Sequence, residues 1–107
     1  MTYVRTAFFE GELTQEEKED FYHYMRTEVA PIIASFPNSL GIEVDIPHDI
    51  EAENQKNLLL MLRHSYTNKE TMLEALQSDR RIDSMIATKV IIEKYAIKVH
   101  HINFERQ

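Results

Sequence analysis

Three observations in this 107-residue chain predict an α+β fold whose helices cover one face of an antiparallel sheet. Apolar, β-branched runs of strand length such as "YVRTAFFE" and "LLLMLRHSY" stand apart from stretches of helical periodicity. Each helical stretch follows a capping-box spacing, "TQEE" and then "TNKE". Strands and helices alternate in the order βαββαβ. Two split βαβ units with right-handed crossovers then give a four-stranded sheet of order 4-1-3-2, the ferredoxin-like plait with both helices on one face. Only 2 glycines and 3 prolines are present and no segment is of low complexity, so residues 1–107 read as one domain without a linker.

The first strand runs from Tyr3 to Glu10 and ends at Gly11. Thr14 stands three residues before Glu17, where each can satisfy an orphan backbone donor of the other, so helix one begins there. Phe21, Met25, Val29, Ile32, Ile33 and Phe36 recur at steps of three and four and form its apolar stripe. Pro31 lacks an N–H, and its ring strains against the carbonyl of Thr27, which predicts a kink or break near Thr27 to Ala30. After Asn38-Ser39, Leu40, Ile42, Val44 and Ile46 alternate with Gly41, Glu43, Asp45 and Pro47, a half-buried strand. Pro47 to Asn57 is a polar, acidic loop.

Leu58 to Tyr66 opens with five large apolar residues, as a central strand buried on both faces would. Leu59 and Met61 should point opposite to Leu58, Leu60 and Leu62. From Thr67, Met72, Leu73, Leu76, Ile82, Met85, Ile86 and Val90 follow at helical steps, with a break at Ser78-Asp79. Ala96 to Phe104 closes the plait as the fourth strand.

The net charge of −6 and pI near 5.3 disfavour nucleic acid and anionic membrane surfaces, and no basic run overrides the mean. Zero cysteines exclude disulfides, thiolate metal sites and cysteine nucleophiles. The opening residues lack a signal-peptide pattern, and no apolar run approaches the ~20 residues of a membrane span. These features predict a cytoplasmic protein. Helices cover only one face of a sheet whose third strand is apolar on both, so a second copy of the chain is expected on the other face, as a homodimer.

Phe21-x-x-Tyr24-Met25 followed by Val29-Ala30-Pro31-Ile32 resembles the helix-one signature of the EthD family, F-x-x-Y-W, three spacers, then H-A-P-L. "LEALQS" at Leu73 to Ser78 is similar to that family's A-L-x-S turn, and His100-His101 to its terminal Glu-His. The resemblance implies the dimeric α/β-barrel superfamily, which includes cofactor-independent oxygenases, isomerases, haem-degrading enzymes and small stress-responsive proteins. Such a fold does not by itself choose a reaction. Two positions depart from the signature: Met25 replaces the tryptophan, and Val29 replaces the histidine.

Strand alternation allows only one of Arg63 and His64, and one of His100 and His101, to face a barrel interior. Arg5 and Thr6 pose the same choice. A neutral histidine there moves protons near pH 7, and an arginine holds an anionic oxygen. His101, aligned with the family's terminal histidine, and His64 are therefore the catalytic candidates. Arg5, Arg63, Tyr24, Met61 and His100 are the candidate ligand contacts. The acidic loop around His48 has neither EF-hand nor H-x-x-x-H spacing, and no metal site or other cofactor is expected. These readings predict a homodimer that binds a small apolar or aromatic metabolite in a sheet-lined pocket on the face the helices leave uncovered. It would act as a cofactor-independent oxygenase, isomerase or lyase, or as a non-catalytic binding, accessory or stress-related dimer.

Overall fold

The computed structural model describes residues 2–107. Strand β1 (Thr2–Glu10) leads into helix α1 (Gln15–Tyr24), a π-helical turn (Met25–Val29) and the short helix α2 (Ala30–Ala34). Strands β2 (Gly41–Asp45) and β3 (Leu58–Tyr66) follow, separated by a loop with one 3-10 turn (Glu53–Gln55). Helices α3 (Lys69–Leu76) and α4 (Asp79–Tyr95) then lead to strand β4 (Lys98–Arg106). The sheet has the order β2-β3-β1-β4, every neighbouring pair antiparallel, which is the predicted order read from the other edge.

The helix boundaries follow from their caps. Thr14 Oγ1 accepts from the Glu17 N–H while the Glu17 side chain accepts from the Thr14 N–H, the predicted box. The second box is one residue later than the sequence spacing suggests: Asn68, not Thr67, caps α3, with Thr71 as its reciprocal partner. Ser78 separates α3 from α4 by accepting from the Arg81 N–H, and the left-handed Ala96 (φ 52°) ends α4.

The interruption expected near Thr27 to Ala30 is present as a π turn between α1 and α2, without an end to the helical path. The chain widens instead, and the Ala30 N–H reaches back five residues to the Met25 carbonyl. This extra residue in the turn ends with Pro31 in the first turn of α2, where its missing donor costs little. Phe21, Met25 and Val29 remain buried on one side of the widened helix.

The main core lies between the sheet and these helices. It joins Phe9, Leu60 and Leu62 to Phe21, Met25, Val29 and Ile91. A smaller cluster holds Phe36, Tyr66, Met72 and Ala75. Three expectations are corrected here. The β1–β3 register slips between Phe9 and Glu10, leaving Leu59 without a partner, and this bulge turns Leu59 into the same core as Leu60 and Leu62. The apolar residues of edge strand β2 are less buried than expected, Ile42 half-buried and Val44 exposed. In α4, Ile82, Ile86 and Val90 lie on the solvent side and Met85 at the edge of a cavity, all 55–63% exposed. Ser84 and Ile91 are buried instead, with Ala87 and Ile92 packed against the core.

Candidate functional site

Because β1, β3 and β4 alternate, Arg5, His64 and His101 share the helix-covered face, while Thr6, Arg63 and His100 share the open one. Under the helices lies a cavity of about 360 Å³. Its floor is made by Arg5, Ala7 and Phe9 of β1, Leu62, His64 and Tyr66 of β3, and Val99 and His101 of β4. Its roof is mainly α4, through Arg81, Ser84, Met85, Thr88 and Ile92, with Ile33 and Phe36 closing one side. This cavity lies between sheet and helices and is distinct from the pocket expected on the uncovered face.

His64 is only 3% exposed and uses both ring nitrogens. Nε2 lies 2.8 Å from Ser39 Oγ and Nδ1 lies 3.0 Å from the Tyr66 hydroxyl. A neutral imidazole has one donor and one acceptor nitrogen, and each hydroxyl can supply the complementary role. The ring packs against Tyr66 at 4.4 Å and Phe36 at 5.5 Å between centroids. Burial, and then the Arg5 charge, lowers the His64 pKa to about 4, so the ring is neutral at pH 7. Burial pushes the Tyr66 phenol up to about 12, with Arg5 and Arg81 opposing it. The pair is a neutral hydrogen-bonded relay whose Ser39 end reaches the loop before β2.

His101 sits across β1 from this relay, opposite Ala7. His101 is more exposed than His64; its pKa is lowered by desolvation, then by Arg5, Arg81 and His100, and it too is a neutral acceptor at pH 7. Arg5 donates to Asn103 Oδ1 at 3.3 Å across the β1–β4 pairing, and burial followed by the nearby Arg81 charge lowers its own pKa. The cavity therefore combines apolar walls, two uncharged imidazoles, a phenol and cationic guanidinium groups.

Of the residues singled out in the sequence, Arg5, His64 and His101 line this cavity and the other four do not. Arg63 lies on the open face, 2.8 Å from Asp45 and 3.7 Å from Glu43. His100 stacks on Phe8 at 5.0 Å with 14° between the ring planes. Met61 pairs with Phe8 and Asp45 on that same face. Tyr24 donates its hydroxyl to the Ala87 carbonyl at 2.7 Å, fastening helix one to α4. Val29, where the EthD signature has histidine, is fully buried in the core and is not a cavity residue.

Ser39, Tyr66 and Arg81 are cavity or relay residues absent from the sequence candidates. Tyr66 carries a usable signal, since it is two residues from His64 and so on the same face. Ser39 and Arg81 carry none, because only the tertiary fold brings them to β3 and β1. Among the described residues no cluster of three or more histidine or acidic side chains could hold a metal ion. None of the described helices is long and apolar enough to cross a membrane.

No protein-family model matches the sequence, and no curated protein matches it. Solved structures do. An EthD family protein from Bacillus halodurans superposes with a TM-score of 0.72 at 16% identity, each chain covered over its full length. A dimeric protein of unknown function and ferredoxin-like fold from Bacteroides fragilis also gives 0.72, at 13% identity, with 98% of this chain and 96% of the other covered. SnoaB, a cofactor-independent oxygenase from Streptomyces nogalater, gives 0.65 at 12% identity over 99% and 93% of the two chains. The chain therefore has the ferredoxin-like fold, in a form similar along its whole length to that of an EthD family protein.

Proposed function

We propose that the protein is a homodimer, each 107-residue chain one domain, that binds a small, largely apolar or aromatic metabolite in the cavity beneath α4 and transforms it without a cofactor. The observation that carries this reading is the placement of two uncharged histidines and Arg5 around one apolar cavity of about 360 Å³. Cavities of roughly 300–1,000 Å³ with a few convergent polar groups are the usual setting for small ligands. A neutral His101 would accept a proton from a bound C–H or O–H acid, and Arg5 would stabilise the oxyanion left behind. Tyr66, held by His64, would return a proton from the β3 side. The likeness in fold to a cofactor-independent oxygenase is compatible with such chemistry and does not select it. The dimer reading draws on the open sheet face and on the dimeric structures of the same fold.

A second reading, binding without turnover, is favoured by the relay itself. Both His64 nitrogens are already engaged by Ser39 and Tyr66, which leaves His101 as the cavity histidine free to act. Turnover of a panel of hydroxylated aromatic and lactone compounds separates the two readings. Loss of about 10²-fold or more in His101→Ala, the scale of general acid–base catalysis, supports the enzyme. Saturable binding with no turnover by the wild type supports the binder.

A further inference from the structure

The cavity is electrostatically lopsided. The chain has 18 acidic residues against 12 basic ones, yet the cavity is lined by Arg5, Arg81 and Lys89 and by no aspartate or glutamate. Lys89 has a carboxylate of its own, Glu93, at 3.7 Å. Arg63 and Arg80 are likewise paired, with Asp45 and Asp83. Among the described residues Arg5 and Arg81 have no acidic partner, as is also true of the exposed Arg26 and Arg106, but of these only Arg5 and Arg81 line the cavity. Their side-chain hydrogen bonds go to neutral oxygens at long range, Arg5 to Asn103 at 3.3 Å and Arg81 to the Leu76 carbonyl at 3.4 Å. A guanidinium has five donors in a fork suited to a carboxylate, so most of this capacity is unused.

Both charges act on the same space. His101 and Tyr66 each sense Arg5 and Arg81, and Arg81 is the largest electrostatic influence on Arg5. Two like charges around a partly buried apolar cavity repel, and among the described residues no carboxylate pairs with either. A bound anion would. Neither glycine lines the cavity, so no glycine-rich backbone cradle of the kind that holds phosphate is present there. The remaining walls, Phe9, Phe36, Leu62, Ile92 and Val99, suit a hydrocarbon body.

We infer that the ligand is an amphipathic carboxylate, its apolar body under α4 and its carboxylate held between Arg5 and Arg81. The inference rests on the cavity being the binding site, and deepens that reading by naming the ligand's charge and the second arginine that recognises it.

The test is calorimetric titration with three probes that share a naphthalene body: 2-naphthoate, 2-naphthalenemethanol and 2-naphthyl phosphate. In the wild type the carboxylate should bind ~10-fold or more tighter than the alcohol, as a charge-assisted contact over a neutral one implies. Arg5→Gln and Arg81→Gln should each weaken naphthoate by ~10-fold and change the alcohol by less than about twofold. Arg80→Gln, outside the cavity, should change neither. Removing either cavity arginine should also raise the melting temperature of the unliganded protein, which loss of a merely structural arginine would not do.

Equal affinity for carboxylate and alcohol, or naphthoate binding that survives both substitutions, overturns the clamp while leaving the cavity a binding site. Tighter binding of the phosphate than of the carboxylate overturns the choice of anion. No binding of any probe to the folded protein overturns the cavity as a binding site and the clamp with it.

Discussion

On the helix side of the sheet, polar side chains hydrogen-bond to one another around a cavity; on the open side, Thr6 Oγ1 and Arg63 Nε are buried with no partner. These two atoms belong to residues directly opposite each other in the β1–β3 pairing. Around them stand Met61, Ile102 and Phe104, the last two 45% and 47% exposed. The adjacent pairs Arg5/Thr6, His64/Arg63 and His101/His100 are each divided between the faces. One set of strands therefore presents a finished interior on one side and, on the other, an apolar surface around two unsatisfied groups. Polar groups left so are rare in buried protein, which favours a second sheet seated there.

The largest test of this contrast uses two neighbours in β3. Leu60→Ala, in the core, should cost about 2–5 kcal/mol in urea unfolding. Met61→Ala, on the open face, should cost roughly 1 kcal/mol or less at low protein concentration and more as concentration rises, if a second copy covers it. Equal, concentration-independent losses would mean that the two faces are equally buried within one chain.

Next in size is a pH effect confined to the helix side. Unfolded histidine titrates near 6.5 and native His64 near 4, so between those values the unfolded chain binds the extra proton. Stability present above pH 6.5 should thus fall as the pH drops toward 4, by roughly 2–3 kcal/mol from His64. His101 shifts the same way but is exposed, and solvent screening makes its contribution much smaller. Urea midpoints at pH 7 and 4.5 measure the slope, and His64→Gln should flatten it. A wild-type midpoint unchanged across the window would contradict a buried neutral His64.

The smallest effect is expected at Thr6. Thr6→Val keeps the branched shape and removes the unpaired hydroxyl, and should stabilise the isolated chain by about 1 kcal/mol. A lower melting temperature instead would show that the hydroxyl gains a partner in the assembled protein.

The plait was legible because its signals are local: the Thr14–Glu17 box, the alternation of β1 and the Ser78 break each act within a few residues. What misled were features with two physical solutions. Five apolar residues in a row hide a bulge, so nothing in "LLLML" shows that Leu59 turns inward. Helix α4 is apolar around most of its circumference, and its bulkier stripe, Ile82, Ile86 and Val90, is the one left outside. The site was half legible. Alternation pairs His64 with Tyr66 and separates it from Arg63, but which face receives the helices is decided by crossover handedness and packing. Arg81 lies 76 positions from Arg5 in the chain, and only the packing of α4 over the sheet makes the two neighbours.

The π turn at Met25–Val29 has a consequence for how this helix is compared with others. It is in effect one residue inserted into a regular helix, and each residue adds about 100° of rotation and about 1.5 Å of rise. Without it, the face carrying Phe21 and Met25 and the face carrying Ile33 would be out of phase by that angle. Any alignment of this helix to an unwidened one must therefore open a one-residue gap before Pro31. Residue-for-residue correspondence on the two sides of that gap, Val29 included, is fixed by superposed coordinates and not by counting along the sequence.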